Sequence, residues 1–128
     1  MRRILLAEDN ISNQELIKTL LQRRGWVVAT VSTGKEVLDT LDKLPVDLIL
    51  MDIQMPELNG LETTRIIRSR QDDISRIPII GLSAASFLVE REKCRDAGMN
   101  DYIAKPFKAD HLYAVIEKCL AGSISRTR

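Results

Sequence analysis

Short apolar runs alternate with amphipathic stretches five times along the chain. Ile4-Leu5-Leu6-Ala7 is the first run, Trp26 to Val31 the second and Val46 to Met51 the third. Ile77 to Leu82, with Pro78 near its start, is the fourth, and Tyr102 to Ala104 is the last and shortest. Runs bounded by turn residues and lacking clean alternation suit strands buried on both faces of a parallel sheet. Between them, apolar residues recur at helical spacing: Leu16, Ile17, Leu20 and Leu21; Val37, Leu38, Leu41 and Leu44; Leu61, Thr64 and Ile67; more weakly Leu88, Cys94 and Ala97; then Leu112, Val115, Ile116 and Cys119. Ser12 with Glu15, Thr33 with Glu36, and Asn59 with Glu62 have capping-box spacing. Gly25 and Gly98 follow helical patterns, where a left-handed C-terminal residue is common. The order β-α repeated five times predicts an α/β fold: an open, doubly wound parallel sheet with helices on both faces. Trp26 is expected to cover one end of that sheet. One domain is expected over residues 1–122, with 123–128 as a loose tail.

The acidic residues sharpen this picture. Glu8 and Asp9 follow the first predicted strand and Asp52 follows the third. In an open parallel sheet, ligands bind beyond the carboxyl ends of the strands, where strand order reverses. With order 2-1-3-4-5, strands one and three are neighbours there, and the three acids share one shallow pocket. Crowded carboxylates repel, and at least one takes a raised pKa. A hard divalent cation removes that conflict, and Mg²⁺ fits because it takes a few carboxylates with waters and phosphate oxygens. Ser83 ends the fourth strand and Lys105 follows the fifth, at the same edge. Lys105 precedes Pro106, which biases it toward extended geometry. Taken singly, the acids read as strand-end residues, Ser83 as a helix cap and Lys105 as a solvated lysine; their joint placement points to a site.

Composition narrows the partners. The 128 residues are 45% hydrophobic and 29% charged, and 19 basic against 18 acidic residues leave a net charge of +1. That balance gives neither a footprint for nucleic acid nor a polybasic membrane patch. No apolar run approaches the roughly 20 residues of a membrane span. The apolar stretch after Met1-Arg2-Arg3 stops at Glu8-Asp9, too soon for a signal peptide. Cys94 and Cys119 lie inside helical patterns without metal-ligand spacing, as reduced thiols of a cytoplasmic protein would.

Four blocks in register resemble the response regulator receiver family of two-component signalling. They are Ile4 to Asn10, Leu48 to Gly60, Ile79 to Ala84 and Tyr102 to Phe107, and the likeness spans about residues 3 to 121. The resemblance implies a flavodoxin-like sheet of five strands, order 2-1-3-4-5, with five helices. It implies Asp52 as phosphoacceptor and Mg²⁺ (or Mn²⁺) held by Asp9, Asp52 and the backbone carbonyl of Gln54, with Glu8 acting mainly through a metal-bound water. Lys105 would contact the acceptor and then the phosphoryl group. Ser83 and Ala84 would bind phosphoryl oxygens, and Tyr102 would be the aromatic that moves inward with Ser83. Gln54 and Ala85 would flank the path of hydrolytic attack. The donor implied is a histidine kinase or histidine phosphotransfer domain. The output implied is an effector docking on the face of the fourth helix, fifth strand and fifth helix, with homodimerisation as a further option. Asn59 and Gly81 depart modestly from the family pattern, and Gly81 is expected to loosen its strand. The runs around Asn13-Gln14 and Arg91 to Met99 look most like receivers attached to hybrid histidine kinases.

Two rival readings are weaker. A phosphatase of the haloacid dehalogenase type needs an Asp two residues after the nucleophile, where this chain has Gln54. A receiver-like module that is never phosphorylated would not need Glu8, Asp9, Asp52, Ser83 and Lys105 all intact. The chain is therefore expected to phosphorylate itself without turning over an external substrate. His111, the lone histidine, reads as a solvated helix residue.

Overall fold

The computed structural model describes residues 2–84 and 87–126, the side chains of 87–89 and 123–126 excepted. Among these residues five strands alternate with five helices: β1 (Arg3–Ala7), α1 (Ile11–Arg23), β2 (Val27–Val31), α2 (Gly34–Leu41), β3 (Leu48–Asp52), α3 (Gly60–Arg68), β4 (Ile79–Ser83), α4 (Phe87–Ala97), β5 (Asp101–Ala104) and α5 (Ala109–Arg126). A short 3₁₀ turn, Asp73–Arg76, precedes β4. The strands form one parallel sheet in the expected order β2-β1-β3-β4-β5. None of the described helices is long and apolar enough to cross a membrane.

Alternate side chains of the central strands fill two separate cores. Ile4 and Leu6 of β1 and Leu48 and Leu50 of β3 pack with Ile17 and Leu21 of α1 and Leu112 and Ile116 of α5. Leu5 and Ala7 of β1 and Ile49 and Met51 of β3 pack on the other side, with Val37 of α2, Ile67 of α3 and Cys94 of α4. This explains why the strands read as unbroken apolar runs: both faces are covered. Packing also decides the helices. α2 has 8 residues, fewer than the roughly 12–15 an isolated helix needs. It forms because Val37 and Leu41 are buried, each contributing on the order of 1.5–3 kcal/mol.

The expected capping boxes appear at Thr33–Glu36 and Asn59–Glu62, reciprocal in both cases. The Ser12–Glu15 pair does not cap α1. The helix starts earlier, at Ile11, and the side chain of Asn10 accepts from the Asn13 N–H at 2.9 Å. Gly25 and Gly98 take positive φ, 83° and 107°, as helix-ending residues do. Strands β3 and β4 start and end later than the apolar runs suggested, because Val46 and Ile77 belong to the entering loops. The last helix continues to Arg126, so residues 123–126 are helical where a loose tail was expected. Leu88, expected on the stripe of α4, has its side chain outside the described set; Cys94 and Ala97 of that stripe are buried. Cys94 is buried and Cys119 half-buried, and no disulfide joins them.

Gly81 does not loosen β4. A Cβ there would meet the Met99 sulfur at 2.6 Å and the Cys94 sulfur at 3.2 Å. The missing side chain is the space these two sulfurs fill. At the sheet edge where β2 begins, Trp26 packs edge-on against Tyr113 at 6.3 Å between ring centroids. The Arg24 guanidinium lies 4.1 Å from the centre of the Tyr113 ring.

Arg68, at the end of α3, ties three segments together. Its Nε donates to the Gly98 carbonyl at 2.8 Å, and Nη1 donates to the Ser75 and Ile77 carbonyls, each at 2.8 Å. Nη2 donates to Asn100 Oδ1 at 2.7 Å, and that oxygen also accepts from the Ile79 N–H. Replacing Arg68 with Met keeps the aliphatic stem but strips donors from several part-buried acceptors. Urea unfolding should show a loss of about 2–3 kcal/mol; a change within ~0.5 kcal/mol would contradict this role.

Candidate functional site

Strand register builds the site. Ala7 of β1 lies level with Met51 of β3, so the next residues, Glu8 and Asp52, emerge side by side. Asp52 is level with Leu82 of β4, and Ser83 is level with Ala104 of β5. Lys105, one residue beyond, donates its backbone N–H to the Ser83 carbonyl at 2.7 Å. The peptide bond to Pro106 is cis. Four chain segments distant in sequence thus end at one rim.

The local turns are pinned as firmly. Glu8 N–H donates to the Val31 carbonyl at 3.0 Å. The Gln14 amide of α1 reaches back to the carbonyls of Glu8 and Val31 at 3.0 and 3.1 Å. After β3 the chain must return at once to start α3, and Gly60 N–H donates to the Ile53 carbonyl at 2.8 Å. A Cβ on Gly60 would strike the Asp52 carbonyl oxygen and come within 2.9 Å of Ile53 Cα. Only glycine lets the helix start approach β3 so closely. In the intervening loop Glu57 holds φ 68°, a left-handed conformation that costs a non-glycine residue roughly 1–2 kcal/mol.

At the rim the Lys105 ammonium donates to Glu8 Oε1 at 2.8 Å and to Asp52 Oδ2 at 3.1 Å. Glu8 is 1% exposed and Asp52 6%. The backbone N–H of Gln54 donates to the other Asp52 oxygen at 3.0 Å, and that of Asn10 to Glu8 Oε2 at 3.2 Å. Burial pushes the Glu8 carboxyl above its ordinary range; the neighbouring Asp52 adds to this, and Lys105 and Asn10 only partly oppose it. This is the conflict expected of crowded carboxylates. Burial alone would lower the Lys105 ammonium, but its bonds to Glu8 and the charge of Asp52 outweigh that and raise it.

Asp9 completes the cluster from the exposed side. Glu8, Asp9 and Asp52 each offer an oxygen within 4.8 Å of the others. An octahedral ion with ligands at about 2.1 Å holds their oxygens roughly 3–4.2 Å apart. The cluster is therefore within a side-chain rotation of that geometry. Its oxygen-only donors and uncompensated negative charge suit a hard divalent cation.

These residues line an open cleft of about 730 Å³ together with Gln54 and Ala84, as the sequence suggested. Ser83 and Tyr102 do not line it. Ser83 is 2% exposed at the end of β4, and Tyr102 is 8% exposed in the core beside Met99 and Cys94. Ala85 lies outside the described residues. Sequence reading missed Glu90 and Lys93 of α4, which also line the cleft. The available signal was Glu90 itself, a carboxylate four residues before Cys94 on the helix's inward stripe. A cleft of about 620 Å³ lies at the opposite sheet edge, between Leu41–Asp47 and Asp73–Pro78. Its acids are already engaged: Asp47 accepts from the Arg3 N–H at 2.7 Å and Asp42 pairs with Arg70 at 3.1 Å. His111 is exposed on α5.

A family model described as the response regulator receiver domain matches residues 4–117. Hybrid signal transduction histidine kinase I of Dictyostelium discoideum is 40% identical over 133 residues, covering 99% of this chain. The chain spans 8% of that kinase's length. The polar-differentiation response regulator of Brucella anthropi is 33% identical over 120 residues, covering 94% of this chain and 97% of that protein. Among solved structures, the receiver domain of a sensor histidine kinase from Pseudomonas aeruginosa PAO1 has a magnesium ion coordinated in its active-site cleft. It is 39% identical, with a TM-score of 0.86, and the match covers 94% of this chain and 98% of that one. Matched by the family model and along nearly its whole length by relatives of both kinds, this chain belongs to the response regulator receiver family of two-component signalling.

Proposed function

We propose that the chain accepts a phosphoryl group on Asp52 from a phosphohistidine, aided by Mg²⁺, and passes the signal on by a change of surface shape. The observation that carries this reading is the Lys105 ammonium held between the buried Glu8 and Asp52 carboxylates, with Asp9 within reach of both.

The geometry supports this reaction. Asp52 accepts from Gln54 N–H and Lys105, which orient the carboxylate that would be the nucleophile. A carboxylate oxygen attacks phosphorus, the phosphorus–nitrogen bond breaks, and the imidazole leaves with that electron pair. No general base is needed, because the carboxylate has no proton to give up. What the reaction does need is neutralisation of the equatorial oxygens. Lys105 can turn its donors to them while keeping its shorter bond to Glu8. Asp9, Asp52 and the Gln54 carbonyl would hold Mg²⁺ (or Mn²⁺), with Glu8 behind a bound water. The ion when bound supplies positive charge to the phosphoryl oxygens.

Once formed, the aspartyl-phosphate adds charge and acceptors that Ser83, Ala84 and Lys105 would bind. Tyr102 lies next to Ile103 and Ala104, on the strand that delivers Lys105, so a shift at the rim reaches the face of α4, β5 and α5. Phosphate moves that equilibrium only by its differential contacts with the two states. A histidine kinase or phosphotransfer domain would be the donor and an effector protein the reader, in the cytoplasm. Receiver domains are signalling domains, not enzymes turning over external substrates.

Two outcomes are expected. Asp52→Asn should abolish labelling by a small-molecule phosphodonor with Mg²⁺ while its circular dichroism stays native; labelling at the wild-type level would overturn the assignment. The second concerns pH. Because the folded state raises the Glu8 carboxyl, its contribution to stability is fully present below the ordinary value of 4.5 and is lost as pH rises through the raised one. In chelator-containing buffer, the stability of wild type relative to Glu8→Gln should fall as pH rises from about 4 to 7. Added Mg²⁺ should narrow the gap. A gap that moves in wild type's favour with rising pH would contradict the crowding of these carboxylates.

A further inference from the structure

The inward stripe of α4 packs Cys94 and Ala97 against the rest of the fold. Glu90 lies on the same stripe, in the first turn of the helix, where an apolar residue would be expected. Among the described residues, its Oε2 is buried and accepts no hydrogen bond. It lines the cleft that holds Glu8, Asp9, Asp52 and Lys105. Its negative charge also adds to burial in pushing the Cys94 thiol up to about 11. A buried carboxylate oxygen without a donor is a cost to folding. Placed on the wall of a functional cleft, such a cost points to a role in the cleft's electrostatics.

We propose that Glu90 is a charge gate, a positioning residue on α4 that favours a cation in the cleft and opposes an anionic phosphoryl group on Asp52. The inference rests on the phosphoacceptor reading of the cleft. Phosphorylation replaces the single charge of Asp52 with close to two, and Glu90, on the wall of the same cleft, bears on that added charge. Relief comes from moving the first turn of α4 away. The repulsion therefore works directly on the helix whose displacement would carry the signal. Lys93, three residues further along the same helix, lines the same cleft and moves with it.

The proposal makes a prediction of opposite sign for two ligands, which a packing defect would not produce. The full chain, as wild type, Glu90→Gln, Glu90→Ala and Glu90→Asp, is titrated by calorimetry first with Mg²⁺ alone and then with beryllofluoride at saturating Mg²⁺. Glu90→Gln should weaken Mg²⁺ and tighten beryllofluoride, each by about two- to fivefold for unit charges sharing a wet cleft. Both effects should shrink in about 0.5 M salt. Glu90→Ala should give the same pair of signs, and Glu90→Asp should stay near wild type. Unchanged affinities, a shift of both ligands in one direction, or an Asp variant that behaves like Gln would overturn the gate while leaving the acceptor site standing. Wild type that binds neither ligand would overturn both readings.

Discussion

A single ammonium group held between two buried carboxylates organises this molecule. Lys105 reaches Glu8 at 2.8 Å and Asp52 at 3.1 Å. Removing such ions from water costs several kcal/mol each, and one lysine beside Asp9 as well does not cancel three acids. As a device for stability the cluster is poor: apolar residues of the same volume would do better. As a site it is coherent. Its excess negative charge suits a divalent cation, and under the proposed function its lysine would meet the incoming phosphoryl group.

The fold exists around that cluster in a specific physical sense. Parallel strands with both faces covered have one shared polar edge, and their registers decide what appears there. The level pairing of Ala7 with Met51 and of Ser83 with Ala104 brings Glu8, Asp52 and Lys105 together. Gly60 lets α3 begin against the Asp52 carbonyl, and Gln14 clips the turn that carries Glu8. On the far side, Arg68 binds the end of α3 to the entry of β4 and to the turn before β5. The end of β3 that carries Asp52 is thus held by Gly60 and Gln54, while the proposed charge gate would act from α4.

Much of this was legible in the sequence because it depends on periodicity and on strand ends. Five apolar runs gave the element order, and acids placed just after two of them, with Ser83 and Lys105 after two others, located the edge. What escaped depends on contacts that no local pattern encodes. The spacing of Ser12 and Glu15 satisfies the capping rule, but the tight β1–α1 turn lets Asn10 take the cap first. Gly81 looks like a weak point until Met99 and Cys94 are seen to fill its space. The burial of Tyr102 beside Met99 and Cys94 was likewise a matter of packing that no local pattern encodes. Glu90 was overlooked because only the packing of α4 brings the first turn of its core-facing stripe to the wall of the cleft.

The central claim is that Asp52 is the group that becomes an acyl phosphate. Hydride reduction turns an acyl phosphate into an alcohol and leaves an ordinary carboxylate untouched. After incubation with a phosphodonor and Mg²⁺, reduction and peptide mapping by mass spectrometry should find homoserine at position 52 and nowhere else. A reduced residue at position 8 or 9, or a phosphoryl group retained on His111 with position 52 unaltered, would contradict the account.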